Sequence, residues 1–76
     1  MKLTITQVDK VLFSGDAESV LVPGAEGEMV VLSHHMPLIA TLKAGEIIVK
    51  ASGAEQRFPI TSGFVDVGKT ETTILV

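Results

Sequence analysis

Turn residues cut this chain into pieces too short for helices. Pro23-Gly24, Ala44-Gly45, Ser52-Gly53, Ser62-Gly63 and Gly68-Lys69 punctuate the sequence, and each dipeptide has turn chemistry. Between them lie brief apolar runs such as Val20-Leu21-Val22 and Ile47-Ile48-Val49. Nowhere do apolar residues hold the three-four spacing over the length a helix needs. The chain must therefore be built from short strands.

Taken in order, Leu3 and Ile5 alternate with Lys2, Thr4 and Thr6, the pattern of a half-buried strand. After a polar break at Asp9-Lys10, Val11-Leu12-Phe13 reads as a second strand and Ser14-Gly15-Asp16 as a turn. Glu18 to Val22 is a third strand, which Pro23-Gly24 should stop in a type II turn. Glu28 to Leu32, Leu38 to Lys43, Glu46 to Ala51, Glu55 to Ile60, Phe64 to Val67 and Thr72 to Val76 follow. Pro59 cannot donate to a ladder, so its strand belongs at an edge or carries a bulge. Closely spaced short strands predict an all-β fold, a small two-sheet antiparallel β-sandwich. Seventy-six residues leave room for a single β-sandwich domain over 1–76.

Several strands break the alternation that one wet face demands. Val20-Leu21-Val22, Met29-Val30-Val31-Leu32, Ile47-Ile48-Val49 and Ile74-Leu75-Val76 put apolar side chains on both faces. One face can fill a core. The other needs cover, from loops of this chain or from another protein.

Composition narrows the function. With no Trp or Tyr and three Phe, the core is aliphatic and a carbohydrate site lacks its aromatic platforms. The net charge is −3, and Lys2, Lys10, Lys43, Lys50, Arg57 and Lys69 are scattered, so there is no nucleic-acid footprint. Without cysteine there are no disulfides or thiolate metal sites. The start, M-K-L-T-I-T, alternates as a strand does and lacks the continuous apolar stretch of a signal peptide, and no run approaches transmembrane length. The expectation is a cytoplasmic or membrane-peripheral protein.

Catalytic chemistry has little to work with. His34 and His35 are adjacent, and on an extended segment neighbouring side chains point to opposite faces, so they cannot easily share an ion. No serine sits in Gly-x-Ser-x-Gly, and no glycine pair makes a phosphate loop with its lysine. We therefore expect no catalytic residue, no metal and no cofactor. Glu26 and Glu28 are more informative. Pro23-Gly24 and Gly27 bracket them, so they either form a solvated hairpin tip or meet a basic loop on a partner.

Five motifs in fixed order carry a family resemblance: K-V-L-F-S-G (Lys10 to Gly15), S-V-x-V-P-G-x-E-G-E (Ser19 to Glu28), H-x-P-L (His35 to Leu38), L-K-x-G (Leu42 to Gly45) and S-G-F-V-D-V (Ser62 to Val67). Together they span almost the whole chain, which resembles the N-terminal β-sandwich domain of the epsilon subunit of the F-type ATP synthase. The resemblance implies a non-catalytic rotor subunit of the central stalk. It links the gamma subunit to the membrane c-ring and couples proton or sodium flow to ATP synthesis, at the cytoplasmic face of a bacterial inner membrane or its thylakoid equivalent. It implies c-ring contacts at Glu26, Gly27 and Glu28, and gamma contacts near His35, Pro37 and Leu38. The other reading is a free-standing β-sandwich protein-binding module.

The chain departs from the family pattern at Val30, where a Gly is usual, at Ser33-His34, where Pro-Gly precedes the His, and at Ala44, where many members have Pro. Family members usually continue into a helical hairpin that can extend along gamma and inhibit ATP hydrolysis. The sequence to Val76 does not include it, so no ATP-binding or inhibitory role carries over. A protein ending there is expected to couple rotation without hairpin inhibition.

Overall fold

Nine strands account for most of the chain in the computed structural model, which describes every residue except His35. They are β1 (Lys2–Gln7), β2 (Lys10–Asp16), β3 (Ser19–Gly24), β4 (Gly27–Leu32), β5 (Leu38–Leu42), β6 (Gly45–Ala51), β7 (Ala54–Ile60), β8 (Gly63–Val67) and β9 (Glu71–Leu75). Each apolar run of the sequence lies on one of them, with Val76 alone falling past the end of β9. Among the described residues no helix is long and apolar enough to cross a membrane.

Three turns differ from the expectation. Pro23-Gly24 does not stop β3: Pro23 pairs with Glu28 and Gly24 with Gly27, so the turn itself is Ala25-Glu26. A two-residue loop closes the hairpin one step later because Gly27 takes a positive φ of 140°, which its missing Cβ permits. Likewise Ser14-Gly15-Asp16 is strand. β1 offers it a ladder, Leu3 opposite Gly15 and Lys2 opposite Asp16, and that pairing overrides local turn preference. The β1–β2 turn falls at Val8-Asp9 rather than Asp9-Lys10.

Hydrogen bonding runs through the strands in the order β2-β1-β9-β8-β5-β3-β6-β7, with β4 paired to β3 off that path. The join between β5 and β3 is one bridge, Gly24 to Leu42. There the sheet folds over, giving a layer β2-β1-β9-β8-β5 and a layer β4-β3-β6-β7. Only Lys43 and Ala44 separate β5 from β6, and both strands run antiparallel to β3. They are one bent strand that leaves the first layer and enters the second, as at the corners of orthogonal β-packing. Every pair is antiparallel except β1–β9. β9 lies between β1 and β8, and its antiparallel ladder with β8 fixes that direction. Pro59 sits in β7, an edge strand paired with β6 alone among the described residues, where its missing N–H costs nothing.

The core fills from both layers. Leu3, Ile5, Val65 and Ile74 point in from the first, and Val20, Val22, Val31, Ile47 and Val49 from the second; all are fully buried. Each contributes about 1.5–3 kcal/mol of transfer free energy. On the open side the edge strands β2 and β7 meet through the Phe13 and Phe58 rings, centroids 6.4 Å apart and edge-to-face at 70°.

The corner is built from small residues. Lys43 N–H donates to the Pro23 carbonyl and Ala25 N–H to the Thr41 carbonyl, both at 2.9 Å. A Cβ on Gly45 would lie 2.9 Å from the Pro23 Cβ, and the rigid proline ring has no rotamer with which to yield. Replacing Gly45 with Ala should therefore cost about 1–3 kcal/mol through overpacking, read as a lower urea midpoint at unchanged slope. Wild-type stability in this variant would show that the bend does not depend on the Gly45–Pro23 approach.

Candidate partner-binding surface

Side-chain alternation decides what the second layer shows to solvent. Val20, Val22, Val31, Ile47 and Val49 point inward, so Leu21, Val30, Leu32 and Ile48 point outward. The registers align them: Val30 lies opposite Leu21, Leu21 opposite Ile48, and Ile48 opposite Arg57. The result is an apolar row across β4, β3 and β6 that ends at Arg57 on β7, with Leu32 opposite Ser19 in the next row. Val30 and Leu32 remain 52% and 55% exposed. A shallow groove of about 260 Å³ runs along this face between Ser19, Leu21, Val30, Ile48, Lys50 and Glu55. At the far end the Arg57 guanidinium donates to Glu55 at 2.8 Å and Glu46 at 3.2 Å. Such exposed pairs are worth little in stability; they hold a planar cation in place beside the apolar row.

The first layer has a different outer surface. Thr4, Thr6, Ser14, Thr41, Asp66 and Thr73 share it with Val11, Ile39, Phe64 and Leu75. There hydroxyls and a carboxylate interrupt the exposed apolar side chains.

The acidic pair lies where the two surfaces meet. Glu26 is in the β3–β4 turn, and Glu28 is the second residue of β4, on the same outward side as Val30 and Leu32. Both carboxylates are exposed. The hairpin end and the outer side of β5 and β8 enclose an open cleft of about 720 Å³, lined by Glu26, Glu28, Met29, Ile39, Thr41 and Phe64. Gly27 supplies the positive φ that lets the chain turn, and a Cβ on Gly24 would come 2.5 Å from the Gly27 carbonyl oxygen. Two glycines thus set the shape of this end.

The second predicted cluster is at the opposite end of the hairpin. β4 is six residues long, about 20 Å, and leads away from the acidic turn. Pro37 is exposed ahead of β5; Leu38 is half-buried and packs against the core. His35 lies outside the described residues. Two predicted sets therefore occupy two ends of the molecule. Sequence reasoning missed Arg57 and its two carboxylates. The signal was there: the Ser52-Gly53 turn, positive φ at both residues, sets a hairpin register that puts position 57 opposite 48.

Comparison with known proteins now has a geometry to rest on. The family model described as "ATP synthase, Delta/Epsilon chain, beta-sandwich domain" matches residues 1–76. The chain belongs to this family. It is similar to the ATP synthase epsilon chain of Mesorhizobium japonicum, 43% identical over 97% of this chain and 56% of that one. The epsilon chain of Dichelobacter nodosus is 40% identical over 93% of this chain and 50% of its own length. This chain thus spans about half the length of these relatives. The epsilon chain of Caulobacter vibrioides is 39% identical, with 99% of this chain and 87% of its own matched. Among solved structures, a chain of the Euglena gracilis mitochondrial ATP synthase, OSCP/F1/c-ring, superposes with a TM-score of 0.90 at 26% identity, over 97% of this chain and 48% of that chain. A chain of the Tetrahymena thermophila mitochondrial ATP synthase central stalk and c-ring shares the fold, with a TM-score of 0.84 at 17% identity, over 99% of this chain and 61% of its own.

The loop after β4 carries a strained residue. His34 takes a left-handed φ of 68°. A side chain there is strained by about 1–2 kcal/mol. Part of that strain is recovered on substitution, because Gly adds freedom to the unfolded chain. His34→Gly should therefore raise stability by about 0.5–1 kcal/mol, measured by thermal melting. A drop of similar size would mean that the imidazole makes a contact worth more than the strain.

Proposed function

We propose that residues 1–76 act as one non-catalytic module of a central-stalk, or rotor, subunit of an F-type ATP synthase, linking the gamma subunit to the c-ring. On this reading the outer row of the second layer meets gamma, and the Glu26-Gly27-Glu28 end meets polar loops of the ring. The observation that carries the reading is the pairing of two unlike surfaces on one small sandwich: an uncovered apolar row and, beside it, an acidic hairpin end. Family membership supports it, as does the likeness to a chain from an assembly containing F1 and a c-ring. Pro37 belongs to the gamma-facing end by the same proposal, with Leu38 supporting it from the core. The module sits at the membrane surface through the complex rather than by inserting itself, and couples ion flow to ATP synthesis mechanically.

The structure makes this reading sharper to test than the sequence allowed, because it separates Val30, outward and half-exposed, from Val31, fully buried. Val30→Asp should keep the fold yet weaken binding to purified gamma by about 2 kcal/mol or more if the row is a desolvated centre of the interface. Val31→Asp should unfold the chain by burying an unpaired charge. Gamma binding by Val30→Asp at wild-type strength would remove the row from the interface.

The acidic end calls for a different readout. Exposed turn charges change stability by no more than about 0.5 kcal/mol, whereas charges at an interface rim change association rate and its salt dependence. Glu28→Lys should therefore slow docking to the ring at low ionic strength, with thermal stability unchanged, and Glu26→Lys should do so less. If Glu28→Lys docks as fast as wild type at low salt, the acidic end is a solvated turn.

A further inference from the structure

The sheet path ends in two edges, and β4 adds a third. The first two are guarded by the devices that stop strands from pairing with strangers. β2 carries Lys10, Asp16 and a bulge at Leu12, where the register shifts between Ile5 and Thr6. β7 carries Glu55, Arg57 and Pro59. These two edges also lie together, tied by the Phe13–Phe58 contact. β4 has neither bulge nor proline, and a single charge. Its sequence is G-E-M-V-V-L, with Glu28 its sole charge, and among the described residues it pairs with β3 alone.

The hairpin register shows which groups that edge presents. A two-residue loop is closed by a hydrogen-bonded pair, here Gly24–Gly27, and bonded pairs then alternate along the ladder. Met29 and Val31 bond to Val22 and Val20. The N–H and C=O groups of Glu28, Val30 and Leu32 point away from β3. The same parity turns the Pro23 carbonyl toward β5, where it accepts from Lys43 N–H. The three residues with outward backbone groups are also the three whose side chains lie on the outer face.

We propose that the free edge of β4 takes an extended segment of a partner protein as an added strand, pairing with the backbone of Glu28, Val30 and Leu32. This rests on the preceding reading that the outer face of this layer meets the gamma subunit, and it specifies how. The segment has apolar side chains beside Val30 and Leu32, extending the apolar row, and it leaves the Glu28 carboxylate, which the preceding reading gives to the ring, uncovered. Main-chain bonds supply affinity in such additions and side chains supply selectivity.

The test separates backbone from side chain. A chemically synthesised chain with an N-methylated Val30 amide loses the outward donor and keeps the valine. It should bind purified gamma at least tenfold more weakly than wild type, with its unfolding midpoint unchanged. In parallel, hydrogen exchange at the Val30 and Leu32 amides of the unmodified chain should slow at least tenfold on complex formation, a readout that needs no variant. Wild-type affinity of the N-methyl chain, or equally fast exchange in the complex, overturns the proposal. If Val30→Asp weakens binding and N-methylation does not, the face reading survives and the edge proposal fails; if neither does, both fail. Sedimentation showing a dimer of this chain that N-methylation abolishes overturns the proposal in favour of a second copy.

Discussion

The structure depends on one bend. Near Gly24, Leu42 and Gly45 a single sheet folds over on itself, and the strand β5–β6 passes from one layer to the other. Without that crossing, nine short strands would make a flat sheet with no place to bury Leu3, Ile5, Val20, Val31, Ile47 and Ile74. The bend needs close approach: Gly45 lies against the Pro23 ring, and the Pro23 carbonyl takes the Lys43 N–H. Small residues at the corner thus make an aliphatic core possible in a chain of only 76 residues.

The same bend explains why β4 differs from its neighbours. β3 pairs on one side with β6 and, past the corner, with β5. Its other side carries β4, outside the path from β2 to β7. A strand placed there has its inner face in the core, its outer face wet and one edge unpaired among the described residues. That it is also apolar, Met29 to Leu32, is what the proposed cover by a partner would account for. The acidic turn at one end of β4 and Pro37 beyond the other give a hairpin about 20 Å long two different ends, the geometry that the proposed link between two partners calls for.

Much of this was legible in the sequence. All nine strands could be read from brief apolar runs between turn dipeptides, and the failure of alternation in Val20-Leu21-Val22 and Ile47-Ile48-Val49 forecast a second apolar face. The edge position of the Pro59 strand followed from its missing donor. What could not be read was tertiary. Pro23-Gly24 has turn chemistry but lies in a strand, because β4 and the corner supply it with partners. Ser14-Gly15-Asp16 is strand because β1 runs alongside. The parallel β1–β9 pair depends on where the chain stands after crossing both layers, which no local pattern encodes. The choice between Val30 and Val31 needed one fact, the register set by the Ala25-Glu26 turn. Two contact sets were named from family likeness, and their placement at opposite ends of β4 came from the fold.

The central claim is that one small sandwich presents different surfaces to two partners, and cross-linking tests it directly. Photoreactive side chains placed one at a time at positions 26 and 32, in the assembled synthase, should report different neighbours. The account predicts that position 26 labels the c subunit and position 32 labels gamma, with little exchange between the two patterns. Labelling of a single partner from both positions, or of gamma from position 26 and the ring from position 32, would contradict it.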